Sequence, residues 1–294
     1  MRVLLLLTGA LLTAALSTGC STGVRRPFLW TLEKDGKTSY LFGSQHLGVP
    51  YTDLPGIVFD KLEASEAAYT EVDPTARDRI ATNMAALIMR KPSEPPAPEI
   101  LTPKAWAFVV QKLAGRANEA SLRRLTPFGL HGLLMELPEN KVMVDRLTAN
   151  QWDPLWSIDK KLDSLARGWG KKTGALDSAD LALEIRECMV DLSREAIEDL
   201  ASGKPGRSFD ELWSSDYRSG DAAAVVADLR LSPSQERCLL VDRNLKWVPR
   251  IEEAHRNYAS TFFTVGVAHL IYGKQNLVAL LEKRGFRLTR IKAP

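Results

Sequence analysis

The sequence predicts an α/β protein: a central, mostly parallel or mixed sheet with strands from both chain ends, plus a large helical insertion. Three observations predict it. Short apolar runs bounded by turn residues fill 28–72, residues 75 to about 171 are mainly helical by period, and β-rich runs return at 260–265 and 286–291. With 294 residues, 45% hydrophobic and 26% charged, the chain can bury a sizeable core. A single domain over 28–294 with its insertion at about 75–171 is expected, rather than two independent halves.

The first twenty residues stand apart. Arg2 precedes an apolar run, Val3 to Leu16, and the small residues Ser17, Thr18 and Gly19 lead to Cys20. This is the pattern of a secretory leader over 1–19, too short for a convincing membrane span. The run Leu16 to Cys20 resembles the bacterial lipobox, in which the cysteine is lipidated and becomes the new N-terminus. Leu16 stands one place further from the cysteine than that pattern has it. The expectation is therefore a lipid anchor at Cys20 with a tether over 20–27, or else ordinary signal cleavage. By the same resemblance Ser21 directs the protein to the outer membrane, facing the periplasm. A formal charge of +3 gives no concentrated basic face, which argues against a nucleic-acid partner.

Along the mature chain, Phe28 to Glu33 and Thr38 to Gly43 read as strands, joined into a hairpin by the Asp35-Gly36 turn. Pro55 opens a helix over 56–65, and Ala67 to Val72 forms a third strand with Glu71 at its end. Helices follow at 80–89, 103–113 and 127–137, the last two opening on proline, with a Pro/Glu-rich loop from Lys91 to Pro103. Ile158 to Arg167 is helical and Thr173 to Leu176 a short strand. Helical pattern then runs from Ala179 through Leu200, over 209–217 and 222–229, and over 234–256, where Pro249 is expected to kink or divide the helix. Ser260 to Val265 is a strand entering Gly266, and a closing helix (278–284) and strand (286–291) finish the chain.

The chemistry-bearing residues are few. Only His46, His131, His255 and His269 exist among 294 residues, and two of them stand three places after a glycine, Gly43 and Gly266. Chance supplies about a quarter of one such match. Both glycines end apolar strands, where a sharp turn aims the histidine across the carboxyl edge of a sheet. With Glu71 ending a third strand, two imidazoles and a carboxylate make a divalent-metal donor set with positions left for water. His131 and His255 read as structural, and Trp152 with Trp156 as cleft lining or simple packing. Cys188 and Cys238 lie in helical segments, as a disulfide or as two buried thiols. No Gly-x-Ser-x-Gly elbow, HExxH pair or P-loop is present.

Leu41-Phe42-Gly43-Ser44-Gln45-His46, then Glu71, then Val265-Gly266-Val267-Ala268-His269-Leu270 resemble the TraB/GumN family, related to the Tiki proteases. The likeness spans Trp30 to Ile291 and includes Arg243-Asn244 followed by Trp247, Tyr217 to Asp221, and Leu280 to Phe286. One departure is Ala175-Leu176-Asp177, where the family often has Gly-Leu-Glu. The resemblance implies an EreA/ChaN-like fold and, from the Tiki relatives, a metal-dependent peptidase. His46, Glu71 and His269 would hold Mn, Co or Zn, and Arg243 would steady an oxyanion or pair with Glu71. Substrates would be peptides or proteins. The competing readings are a metal- or haem-binding envelope protein without catalysis, and a non-catalytic scaffold.

Overall fold

The computed structural model describes residues 23–46, 49–73, 77–137, 158–203, 215–229 and 231–292. The leader, Cys20, Trp152, Trp156 and most of the helix expected over 209–217 lie outside the described residues.

β1 (Leu29–Lys34) and β2 (Lys37–Ser44) pair antiparallel. Asp35 and Gly36 join them with φ of 51° and 74°, the two-residue turn whose twist matches that of the flanking strands. β3 (Ala67–Thr70), β4 (Lys172–Ala175), β5 (Thr261–Gly266) and β6 (Arg287–Arg290) complete one six-stranded mixed sheet, in the order β4-β3-β5-β2-β1-β6. The four strands from β4 to β2 are parallel; β1 and β6 run antiparallel to their neighbours. Both chain ends thus contribute strands. β5 lies between β3 and β2 with all six residues buried, as expected of a parallel strand covered on both faces.

The helices that frame the site are α1 (Gly56–Ala64), α2 (Arg77–Ile88), α3 (Pro103–Leu113), α4 (Pro127–Met135), α5 (Ile158–Gly168), α6 (Leu181–Glu184), α7 (Arg186–Ser202), α8 (Asp242–Asn257), α9 (Val267–Ile271) and α10 (Leu277–Lys283). α5 packs on β3, β4 and β5, and α8 on β2 and β5. Their apolar faces, with Phe28, Leu41, Phe42, Phe262, Phe263 and Trp247, form the main core. A second core lies among α3, α4 and α7, with Val109, Leu113, Leu130, Leu134 and Ile197 inside. Two chain segments therefore build the helical lobe, one before β4 and one after it. Thr102 and Thr126 cap α3 and α4 through their hydroxyls, each followed by proline in the first turn. Glu198 on α7 also accepts from the Thr102 backbone N–H at 2.8 Å, tying the two segments together. Among the described residues no helix is long and apolar enough to cross a membrane.

Three local expectations are corrected. The loop from Lys91 to Pro103 contains a short helix, Ala97–Ile100, which buries Ala97 in the second core. The helix expected from Ala179 to Leu200 is interrupted at Ile185, between α6 and α7. Conversely, α8 runs through Pro249 undivided. The carbonyl that Pro249 cannot serve belongs to Leu245, and both residues lie on the exposed face of the helix. The irregularity lies earlier, in a π turn over Arg237–Val241. Cys238 in that turn is joined to Cys188 on α7 by a disulfide.

Candidate metal centre at the carboxyl edge

Four parallel strands end side by side, and each delivers one polar side chain to the same edge. His46 lies two residues beyond β2, Glu71 directly beyond β3, and Asp177 two residues beyond β4; His269 sits on α9, which starts where β5 stops. β5 is bonded to both β2 and β3, so the two Gly-x-x-His strands are neighbours and the glutamate strand flanks them. His46 Nε2 and His269 Nε2 each lie 3.8 Å from the same Glu71 oxygen, Oε1. The structure brings together every residue that the sequence pattern singled out for this edge.

The two glycines have different tasks, and neither takes a positive φ. The sharp turn expected at both is absent at Gly43, which lies inside β2 paired with Val265; at Gly266 the chain passes from β5 into α9 with φ −58° and ψ 136°. At Gly43 a Cβ would lie 2.9 Å from Leu270 Cδ1 and 3.1 Å from both Phe28 Cβ and the Val267 Cα. That glycine admits the start of α9. At Gly266 a Cβ would lie 3.1 Å from His46 Nε2, 3.3 Å from Glu71 Oε1 and 3.7 Å from His269 Cδ2. A side chain there would fill the space that the three groups surround.

Each ring is oriented by its other nitrogen. His46 Nδ1 lies 2.8 Å from Asp159 Oδ2, and Asp159 also accepts from the Ser44 hydroxyl at 2.7 Å. His269 Nδ1 lies 2.7 Å from Asn244 Oδ1, whose amide nitrogen donates to the Gln275 carbonyl at 3.0 Å. The carbonyl oxygen requires an N–H on His269 Nδ1, so Nε2 carries the lone pair. Trp247 packs on this ring with centroids 4.3 Å apart. Outer carboxylate and amide groups of this kind fix the tautomer and direction of metal-ligating histidines.

Arg243 on α8 closes the inner wall. Its Nη2 donates to Glu71 Oε2 and to Asp177 Oδ2, both at 2.6 Å, and its Nη1 is 3.1 Å from His269 Nε2. Trp247 Nε1 donates to Asp177 Oδ1 at 2.7 Å. The arginine is far from a surface ion pair: the three side chains are 12%, 11% and 5% exposed. Burial opposes ionisation of Glu71, but Arg243, the two histidines and the Gly266 N–H outweigh it and hold the carboxyl well below its usual range. Burial and the Glu71 charge hold Asp177 above its usual range, against the pull of Arg243 and Trp247. Burial pushes His269 down to about 3, leaving a neutral imidazole. Asp159 pushes His46 the other way, up to about 10, on a ring whose side chain is half exposed to screening solvent.

Two imidazoles and a carboxylate suit a borderline divalent ion. Among the described residues no three His, Cys, Asp or Glu side chains already stand at metal-holding spacing. Donors sharing an ion at about 2.1 Å lie about 3.4 Å apart, so the 3.8 Å separations need to close by a few tenths of an ångström. Displacement of Arg243 Nη1 would also have to free His269 Nε2. The open space over Gly266 and the inward lone pair of His269 suit such an ion, and His46 would have to give up its Nε2 proton to join it.

Sequence reasoning missed Asp159, because an acidic residue at the start of an amphipathic helix reads as ordinary first-turn charge. Asn244 had a signal, its place beside Arg243. Asp177 had one too, at the end of a short strand. His255 is structural, 2.8 Å from Ser39 Oγ and 3.1 Å from the Lys34 carbonyl. His131 lies on α4, away from this edge.

The model of the TraB/PrgY/gumN family matches residues 28–290. No curated protein and no solved structure matches the chain significantly.

Proposed function

The chain belongs to the TraB/PrgY/gumN family, and from that premise we propose that it is a divalent-metal-dependent hydrolase of peptide bonds. The observation that carries the reading is the convergence of His46, Glu71 and His269 on one glycine-floored space, with both rings fixed from behind by Asp159 and Asn244. These three residues would hold the ion, with Mn, Co and Zn the fitting candidates. When bound, such an ion supplies Lewis acidity and an activated water at neutral pH.

The chain supplies the rest. Asp159 and Asn244 keep the two Nε2 atoms aimed inward, so the rings themselves need little reorientation, while Arg243 has to give up its contact with His269 Nε2. Arg243 carries a permanent positive charge into a poorly hydrated wall, where it lowers the cost of negative charge on a carbonyl oxygen. Asp177 and Trp247 hold that arginine in place. Gly266 keeps the floor open to substrate.

A digest of a peptide library with added Mn²⁺ or Co²⁺ tests the reading. Cleavage is expected from the wild type and is lost in Glu71→Gln; cleavage that persists in that variant, or none from the metal-loaded wild type, overturns it. The doubly paired Arg243 favours a second reading, a charge-paired scaffold without turnover. Absence of cleavage would select that reading.

We further propose an exported lipoprotein, anchored at Cys20 and facing the periplasm. The leader pattern supports this, and the Cys188–Cys238 pair suits an oxidising compartment. Cys20→Ser should release the protein from membranes; an unchanged distribution would contradict the anchor.

A further inference from the structure

The first described residues are fastened to the body of the protein. Val24 is buried, and its N–H donates to the Asp53 carbonyl at 2.8 Å. The Arg25 N–H donates to the Arg218 carbonyl at 2.8 Å, and the Phe28 carbonyl accepts from the Gly43 N–H at 2.7 Å. At Gly220, where φ is 71°, a Cβ would collide with the carbonyl oxygen and Cβ of Arg26, so this glycine admits the entering chain. Arg290, at the end of β6, donates to the carbonyls of Arg26 at 3.0 Å and Pro27 at 3.2 Å. The chain enters at the carboxyl edge, because β1 begins opposite Phe42, near the end of β2 that leads to His46. Neighbouring strands lie about 4.8 Å apart, so the entry and the metal centre share one rim.

This corner of the rim is basic. Arg25, Arg26 and Lys292 are exposed, and among the described residues none of the three has a carboxylate partner. Burial, and after it the Arg26 charge, pushes the Arg290 guanidinium below its usual range, against Tyr217 and Asp221. Lys161 of α5 stands 5.0 Å from the ring of Tyr51, in the turn (Tyr51–Asp53) that receives Val24. The acids beside these cations are engaged: Asp53 accepts from Arg218 at 2.6 Å, and Asp221 from the N–H groups of Ala223 and Ala224. A formal charge of only +3 over the whole chain conceals this local excess.

We infer that this basic corner docks on an anionic phospholipid surface and turns the edge that carries the metal centre toward the bilayer. The inference rests on the lipoprotein reading for the anchor, and on the basic corner alone for lipid binding. Val24 is only four residue steps from Cys20, at most about 14 Å of fully extended chain. A lipid at Cys20 therefore cannot hold the body far from the headgroups. The attraction of an anionic surface decays over about 8 Å at physiological ionic strength, so Arg25 and Arg26 come within its reach once the chain is less than fully drawn out. Each Lys or Arg held near such a surface strengthens partitioning about fivefold. The acyl chains hold the protein to the membrane, and the basic corner sets which way it faces.

The test separates the surface from the anchor. The mature chain, residues 20–294 with Cys20→Ser, is sedimented at low ionic strength with vesicles of phosphatidylethanolamine and phosphatidylglycerol, or of phosphatidylcholine alone. Retention at least about tenfold stronger on the anionic vesicles, and lost on adding salt, is expected. Arg25→Gln with Arg26→Gln should weaken it about 25-fold. Lys104→Gln with Arg116→Gln, an equal charge change at exposed positions on and beside α3, should alter it less than about twofold. Equal retention on both vesicles, none on either, or equal losses in the two double variants overturns the inference. Modification of arginines by phenylglyoxal, read by mass spectrometry, locates the contact without any variant. Arg25 and Arg26 should react at least about threefold more slowly on the anionic vesicles while Arg116 does not change; the opposite pattern overturns the inference. The same footprint on the wild type, with its lipid weighed by mass spectrometry, distinguishes the two failures. A wild type without lipid whose Arg25 and Arg26 are still protected removes the lipoprotein reading and leaves the surface. A lipidated wild type in which they stay fully reactive removes the surface and leaves the anchor.

Discussion

Arg243→Met asks how much the inner wall of the centre depends on one cation. Methionine keeps much of the apolar stem that lies against Trp247, where the guanidinium now sits 4.6 Å from the ring centroid. It removes the donor shared by Glu71 and Asp177, two carboxylates that are 11% and 5% exposed. Taking one partner from a buried ion pair costs about 3–5 kcal/mol, because the charge left behind is neither paired nor hydrated. For a chain of this size each kcal/mol moves Tm by roughly 2–4 °C. The variant should therefore melt roughly 6–20 °C below the wild type at pH 7 with EDTA present, as read by calorimetry. The sign with pH follows from Glu71. Its folded pKa is depressed, so the stabilisation is full above the unfolded value, about 4.3, and is lost as pH falls through the folded one. In the variant both carboxylates protonate more readily, so the gap between the two proteins should narrow below about pH 4. A Tm within about 2 °C of wild type at pH 7, or a gap that does not change with pH, would refute the reasoning.

Four further substitutions probe separate links. Gly266→Ala should fold with nearly normal Tm and lose metal retention, because its Cβ meets the movable ends of His46 and Glu71. Gly43→Ala meets Phe28 and the Val267 backbone instead and should cost about 1–3 kcal/mol by denaturant titration; equal effects of the two would contradict the division of labour. Glu94→Gln leaves the buried Arg186 without its bidentate partner, now at 2.5 and 2.8 Å, and should cost about 1.5–3 kcal/mol. Burial pushes Glu94 up, but Arg186 and the Lys91 N–H pull it further down, so this loss too should fade as pH falls below about 4; a loss that grows in acid would contradict it. Cys188→Ser opens a cross-link between residues 50 apart and should lower stability by about 4 kcal/mol. The variant alone should become insensitive to reductant, and a wild type equally insensitive would deny the bond.

Much of this fold is legible because its signals are local. Asp35-Gly36 dictates a hairpin turn, Pro103 and Pro127 mark helix starts behind threonine caps, and the unbroken apolar run of β5 marks a strand covered on both faces. The partnership of the two Gly-x-x-His segments is also legible, since both glycines stand at or next to the end of an apolar strand. What the chain does not show locally is whatever depends on neighbours far along it. The undivided course of α8 through Pro249 depends on which helix face meets water. Asp159 becomes an orienting group only because α5 begins beside the end of β2. The building of the helical lobe from two chain segments depends on tertiary packing that periodicity cannot assign. The reasons for Gly43 and Gly266 are likewise steric contacts across the fold, Leu270 and Phe28 for one, the donor groups for the other.

The central claim is that His46 and His269 hold a divalent ion together with Glu71. The most direct measurement is metal content by mass spectrometry after loading with Mn²⁺, Co²⁺ or Zn²⁺ and desalting, on the wild type, His46→Ala and His269→Ala. Near-stoichiometric metal in the wild type and at least a tenfold loss of retained metal in each variant are expected. Full occupancy in both variants, or none in the wild type, would contradict the account.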